Sequence, residues 1–279
     1  MNYSELGIKP IKGRSQHFLL DESVVEAMCT AAQVTAKDTV VEIGPGPGIL
    51  TEKLLKRGAR VIAVELDPKL CSLLRERFAK EIASHRLHLI EGDFLQTSAK
   101  QLLGATETPY KVVANIPYAI TSDIIIHCLE ESYPPISLTL LMQREVAERL
   151  TATPKNMSSI AVFMQTHTNP EIIRRVPAGA FYPPPKVESA VLHATLKTPT
   201  QRAHFFNNIS PESYFLLVKT AFTHKRKKLR NTLRAQFSSD SALEQAFKSA
   251  NISPDSRPEE LTIKQWQSLA IQHQTIKHS

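Results

Sequence analysis

Asn115, Ile116, Pro117 and Tyr118 close a short apolar run, K-V-V-A-N-I-P-Y, and together form the strongest local chemical signal in the chain. The exocyclic amine of an adenine is a poor nucleophile because its lone pair is conjugated into the ring. An Asn side-chain oxygen and a neighbouring backbone carbonyl, accepting its two N–H groups, would hold that nitrogen nearer tetrahedral with its lone pair aimed at an electrophile. Asn115 and the carbonyl of Ile116 are spaced for this, Pro117 stiffens the loop, and Tyr118 offers a flat face for a base. Such stacking is worth roughly 1–3 kcal/mol. A base held in a stem must be flipped out to reach such a pocket. No strong general base is needed, because the amine turns acidic once it is methylated. The same four residues also suit a plain strand end followed by a turn.

A second stretch, V-V-E-I-G-P-G-P-G-I-L-T from Val40 to Thr51, reads as a strand, a tight turn and a helix start. That turn brings backbone close to a ligand at the carboxyl end of a buried strand. A dinucleotide fingerprint would need glycine where Ile49 stands, and no Gly-Lys-Ser/Thr follows for a P-loop. Pro45 and Pro47 have no N–H, so two phosphate donors are missing. A ligand without a pyrophosphate follows, and S-adenosylmethionine, cationic at sulfur, fits; a merely structural turn is the other reading. Glu65 ends the next strand (R-V-I-A-V-E-L-D) about twenty residues on, where a carboxylate accepts ribose hydroxyls. Asp67 and Pro68 suit the N-cap and first residue of the following helix. Asp93 ends a third strand, where it either accepts an adenine amine or starts a turn.

The elements that position these residues alternate strand and helix up to a fifth strand at Ser137–Gln143, which implies a parallel, doubly wound sheet. Ser158–Thr166 is ambiguous between helix and buried strand. Glu171–Val176 and Val187–Leu196 read as a late strand pair that adds an antiparallel edge. Between them F-Y-P-P-P-K reads as a rigid turn outside any ladder. From Ser210 onward the pattern is helical. The expected organisation is a basic N-terminal arm over residues 1–20, an α/β domain over 21–200 and a small all-helical domain over 208–279, with the boundary near Thr198–Asn208. The arm reads either as a segment closing over the site or as a frayed terminus.

With 279 residues the chain can bury cores for both domains. Three scattered cysteines without C-x-x-C spacing and ten dispersed histidines suit a reducing cytoplasm and exclude a disulfide frame or metal cluster as the organising feature. No apolar run approaches a membrane span, and no signal-peptide pattern opens the sequence. A net charge of +7 suits a polyanionic partner. Lys225, Arg226, Lys227, Lys228, Arg230 and Arg234 follow one another without an intervening acid, read as spread around a helix whose apolar side is Phe222, Leu229 and Leu233. Phosphate contact by all six would give a log affinity against log salt slope of about −5.

Eight motifs in order resemble the KsgA family of rRNA adenine N6,N6-dimethyltransferases: Q-H-F-L, E-I-G-P-G-P-G-I-L-T, V-E-L-D, E-G-D-F-L, N-I-P-Y, L-M-Q-R-E-V-A-E-R-L, F-Y-P-P-P-K-V-E-S-A-V and H-K-R-K-K-L-R-N-T-L. The family usually has Asn where this chain has His17, and often Gly where it has Ser15. The resemblance implies a Rossmann-like class I methyltransferase sheet with a helical C-terminal domain, S-adenosylmethionine as donor (S-adenosylhomocysteine as product) and no metal. The implied substrate is a pair of adjacent adenosines in the 3′-terminal hairpin of 16S rRNA within the 30S subunit, each methylated twice by a monomeric, cytoplasmic enzyme late in ribosome biogenesis. By the same resemblance His17 and Leu19 touch the donor, Gly44, Pro45 and Gly46 lie against its amino-acid end, Glu65 holds the ribose and Asp93 the adenine amine. Asn115 and Ile116 would take the target amine, with Tyr118 and Phe181 sandwiching the target base. A large-subunit adenine methylase of the antibiotic-resistance type, or an assembly factor for which methylation is secondary, are the competing readings.

Overall fold

The computed structural model describes residues 17–104, 108–224 and 227–277. In chain order the first elements are β1 (Phe18–Leu19), α1 (Glu22–Ala31), β2 (Thr39–Ile43), α2 (Ile49–Lys56), β3 (Arg60–Glu65), α3 (Pro68–Arg77), α4 (Ala79–Ala83), β4 (Leu87–Glu91) and α5 (Ala99–Leu103). Then come β5 (Tyr110–Asn115), α6 (Thr121–Glu130), β6 (Ser137–Gln143), α7 (Arg144–Leu150), α8 (Ser159–His167), β7 (Thr168–Val176), β8 (Phe181–Tyr182) and β9 (Ser189–Leu196). The rest is helical: α9 (Pro199–Phe205), α10 (Pro211–Ala221), α11 (Leu229–Leu233), α12 (Asp240–Ser249) and α13 (Ile263–Lys277).

Two compact units form, one from residues up to Ala147 together with Pro170–Leu196, the other from Glu148–Asn169 with Lys197–Ser279. The first holds most of a seven-stranded sheet ordered β4-β3-β2-β5-β6-β9-β7. Parallel pairing runs β4-β3-β2-β5-β6, and β9 adds to β6 antiparallel, the late edge expected from the sequence. Strand order reverses between β2 and β5, so their carboxyl ends flank the crevice where open α/β sheets take ligands. Local chemistry sets the boundaries. Asp21 caps α1 by accepting from the Ser23 N–H, and Asp67 caps α3 by accepting from the Lys69 N–H with Pro68 in the first turn. The face of α1 that meets the core carries Val24, Val25, Met28 and Cys29, whereas Ala27 is only half-buried.

Three sequence expectations change. F-Y-P-P-P-K does not lie wholly outside a ladder: Phe181 pairs with Leu19 and Tyr182 with Phe18, antiparallel. Only the prolines lack an N–H, and the two aromatics before them keep theirs. The ambiguous Ser158–Thr166 stretch is helical, with Ser158 accepting from the Ala161 N–H at its start. Met157, Ala161 and Val162 are buried with Tyr214, Leu217 and Trp266, which places this stretch in the helical unit and not the α/β unit. The expected boundary at Thr198–Asn208 contains α9, whose Thr198 and Gln201 form a reciprocal capping box. Among the described residues, no helix is long and apolar enough to cross a membrane.

Gly48 ends the glycine turn at φ 88°, and a Cβ built there would sit 2.6 Å from Cε2 of Phe78 and 2.9 Å from Cδ2 of Leu74. Both partners are buried in the core of the first unit. Gly48→Ala adds left-handed strain to overpacking, so denaturant unfolding should show a loss of about 2–4 kcal/mol. A loss below about 1 kcal/mol would mean that the loop relaxes freely.

Candidate active site

A cavity opens at the switch point of the first unit, lined by the turn Gly44–Pro47, by Glu42 and Glu65, by His17–Leu19 and by Asn115–Tyr118. Two carboxyl groups and no lysine or arginine line it. That favours a cationic ligand over a phosphate. The turn's own donors argue the same way: the Gly44 N–H donates to the Val64 carbonyl at 2.9 Å, the Gly48 N–H to the Pro45 carbonyl at 3.0 Å, and the Gly46 N–H to Oε2 of Glu65 at 3.0 Å. With Pro45 and Pro47 lacking an N–H, all five residues from Gly44 to Gly48 are closed to an anion. Gly44, at φ 62°, has nothing within 4 Å of where a Cβ would stand, which leaves its backbone open to close approach.

Glu65 is buried, and its Oε1 also accepts from the Asp67 N–H at 2.9 Å. Burial pushes its carboxyl above the usual range, against the pull of the Asp67 and Gly46 N–H groups. A carboxylate has about four acceptor positions, so two remain for ligand hydroxyls. Glu42 is a site residue that sequence reading passed over. Only 1% exposed, it accepts from the Thr51 hydroxyl at 2.6 Å and lines the same cavity. Burial pushes its carboxyl up to about 8, opposed by the Thr51 hydroxyl and reinforced by nearby Glu65. The available signal was an acid two residues before the first glycine of the turn.

At the other end of the cavity Asn115 closes β5. Its Nδ2 donates to the backbone carbonyl of His17 at 3.3 Å. A carbonyl can only accept, so the amide nitrogen must face it and Oδ1 is left to receive a donor. Tyr118 shares a 2.7 Å hydrogen bond with Oγ of Ser189, and its ring stacks with that of His17, centroids 5.8 Å apart at 23°. Burial raises the Tyr118 pKa, partly countered by the Ser189 hydroxyl.

A protein-family model for ribosomal RNA adenine dimethylase matches residues 12–275. The chain belongs to this family. A ribosomal RNA small subunit methyltransferase A from Dehalococcoides mccartyi (strain CBDB1) is 38% identical over 267 residues, covering 95% of this chain and 89% of the relative. The crystal structure of the 23S rRNA methyltransferase ErmE superposes with a TM-score of 0.72 at 26% identity, covering 91% of this chain and 98% of the other. A dimethyladenosine transferase from Plasmodium falciparum matches the fold with a TM-score of 0.74 at 23% identity, over 91% and 96% of the two chains.

Against this dimethylase framework, His17, Leu19, Gly44, Pro45, Gly46, Glu65 and Asn115–Tyr118 come together around one cavity. Two expected residues do not line it. Asp93 is exposed, and its carboxylate caps the helical turn Phe94–Gln96 by accepting from the Leu95 N–H at 3.0 Å, the turn role that its position before Phe94 also allowed. Phe181 is 2% exposed, because the β1–β8 pairing turns it into the core beside Leu19. The basic run also differs from its expectation. It does not lie on one helix: α10 stops at Ala221, Phe222–His224 form a single turn, and α11 begins only at Leu229, after an extended Lys228. Lys228 pairs with Asp255 at 2.7 Å, Arg230 with the same carboxylate at 3.8 Å, and Arg234 with Asp240 at 2.7 Å. Lys227 is exposed, and Lys225 and Arg226 lie outside the described residues, as does the N-terminal arm before His17.

Glu42 generates a pH prediction. The native state keeps a proton up to about pH 8 that an unfolded glutamate gives up near 4.5, so stability falls as pH rises through that window and is fully present below it. Glu42→Gln removes the effect. In thermal melts its Tm relative to wild type should gain several degrees between pH 5 and pH 8; a constant difference would mean that native Glu42 is already ionised.

Proposed function

We propose that this chain transfers methyl groups from S-adenosylmethionine to N6 of two adjacent adenosines in the 3′-terminal hairpin of 16S rRNA in the small ribosomal subunit, as a cytoplasmic, monomeric enzyme of late ribosome biogenesis. The observation that carries the reading is the Asn115 amide, turned by the His17 carbonyl so that Oδ1 can accept an amine N–H at the edge of a cavity suited to a cationic donor. The name of the Dehalococcoides relative, at 38% identity, supports the small subunit over the large one of the ErmE title, at 26%.

In this reading Glu65 takes the ribose hydroxyls and the Gly44–Gly46 turn, with Glu42 beneath it, faces the amino-acid end of the donor. The bound donor supplies a methyl group on sulfonium. Asn115 Oδ1 and the Ile116 carbonyl hold the amine, Pro117 keeps their spacing and Tyr118 supports the base. The N–C bond forms as the C–S bond breaks, sulfur leaves as a neutral thioether, and the nitrogen sheds a proton to water. Residues 208–279 hold the RNA through the basic segment. Its ion pairs are exposed at both partners and worth about 0–1 kcal/mol each, so exchanging Asp255 or Asp240 for phosphate costs little.

Labelled methyl transfer to unmethylated small subunits, followed by nucleoside analysis and mapping, should find dimethyladenosine at two adjacent positions near the 3′ end. Label in large-subunit RNA, or tight subunit binding without transfer, would overturn the proposal. In the same system, replacing Lys227 and Lys228 by Ala should reduce the salt slope of subunit binding by about 2, with donor affinity intact. An unchanged slope would place these lysines away from RNA.

A further inference from the structure

We propose that His17 is a positioning residue for the acceptor base, not a ligand of the methyl donor; this rests on the methyl-transfer reading above. Its partners among the described residues all belong to the acceptor side. The backbone carbonyl receives Nδ2 of Asn115 at 3.3 Å, which sets the amide so that Oδ1 is the free acceptor. The imidazole stacks along Tyr118 at 5.8 Å and 23°, and its Nδ1 lies 2.7 Å from the carbonyl of Pro183. That carbonyl can only accept, so Nδ1 carries the hydrogen.

His17 therefore ties together three loops that are far apart in sequence: its own segment before β1, the Asn115–Tyr118 loop after β5, and the proline turn after β8. The β1–β8 ladder stops at the Phe18–Tyr182 pair, one residue short of His17 on one strand and of Pro183 on the other. The Nδ1 bond thus continues a connection that proline, without an N–H, cannot make through its own backbone. Tyr118 is held at its far end by Ser189, so the ring has one anchor at its hydroxyl and the imidazole along its face. If the imidazole goes, Asn115 and Tyr118 lose their common brace while Glu65 and the glycine turn keep every bond that organises them. Positioning errors of this kind reduce the rate of the chemical step and spare ligand binding elsewhere in the cavity.

The test compares wild type, His17→Ala and His17→Asn. Asn can place its side-chain N–H where Nδ1 stood, so it keeps the bond to Pro183 without the ring. Equilibrium binding of S-adenosylmethionine should stay within about twofold in both variants, which also reports that they are folded. Single-turnover methyl transfer to small subunits at saturating donor should fall at least tenfold in His17→Ala and recover to within about threefold in His17→Asn. A His17→Ala variant that binds donor tenfold more weakly but transfers at the wild-type rate would overturn the proposal, as would wild-type behaviour in both assays or a His17→Asn variant as slow as His17→Ala. If wild type itself transfers no methyl to small subunits, the substrate reading fails and a second readout decides this one. The side-chain 15N–1H resonances of Asn115, assigned by their loss in Asn115→Asp, should shift in His17→Ala with donor affinity unchanged; unshifted resonances would overturn the brace.

Discussion

The buried carboxylate of Glu65 is the constraint on which the donor half of the site depends. Burying a carboxylate is expensive unless its oxygens are satisfied. Here one oxygen takes the Gly46 N–H and the other the Asp67 N–H, so one side chain joins the turn after β2 to the end of β3. Because β2 and β3 are also in parallel register from Thr39↔Arg60 to Ile43↔Val64, the turn cannot slide along the sheet. The result is a loop with its glycine donors spent internally and its open face beside two carboxyl groups. Such a loop rejects phosphate and receives positive charge. The helix capped by Asp67 then starts in a fixed place, and its Leu74, with the following Phe78, closes the back of Gly48.

The acceptor half uses a different principle. Asn115 is neutral, and its usefulness depends on which end of its amide faces the cavity. That choice is made by a backbone carbonyl, which accepts and cannot donate. A main-chain group serves well here because no protonation change can reverse its preference. Tyr118, held through its hydroxyl by Ser189 on β9, couples the same loop to the antiparallel edge of the sheet. The two halves are thus organised from separate strands, β2 with β3 and β5 with β9.

The helical unit is built on aromatic packing around the fully buried Tyr214 and Trp266, with Phe205, Phe206 and Phe215 against the same core. Leu229 and Leu233 are completely buried, which pins α11 and leaves the preceding cations on a connection outside regular helix. Exposed ion pairs there are screened by salt and easily exchanged.

Much of this protein was determined by its sequence alone. Strand and helix periods, the Asp21, Asp67 and Ser210 caps, the parallel sheet with its antiparallel edge, and the cavity residues from Gly44 to Gly46, Glu65 and Asn115 to Tyr118 all follow from local pattern, since capping, alternation and glycine conformation act over a few residues. Tertiary structure alone decided the rest. Whether Asp93 caps a turn or faces a ligand depends on where the chain goes next, and both uses draw on the same carboxylate. Phe181 is turned into the core by its partner Leu19, 162 residues away in the chain, and that partnership leaves no trace in either motif. Glu42 reads as one more acid in a strand until burial raises its proton affinity. The acids that neutralise the basic run, Asp240 and Asp255, are brought to it by packing of the helices. In each case the deciding interaction is long-range, and sequence spacing carries no information about which distant group will fill the space.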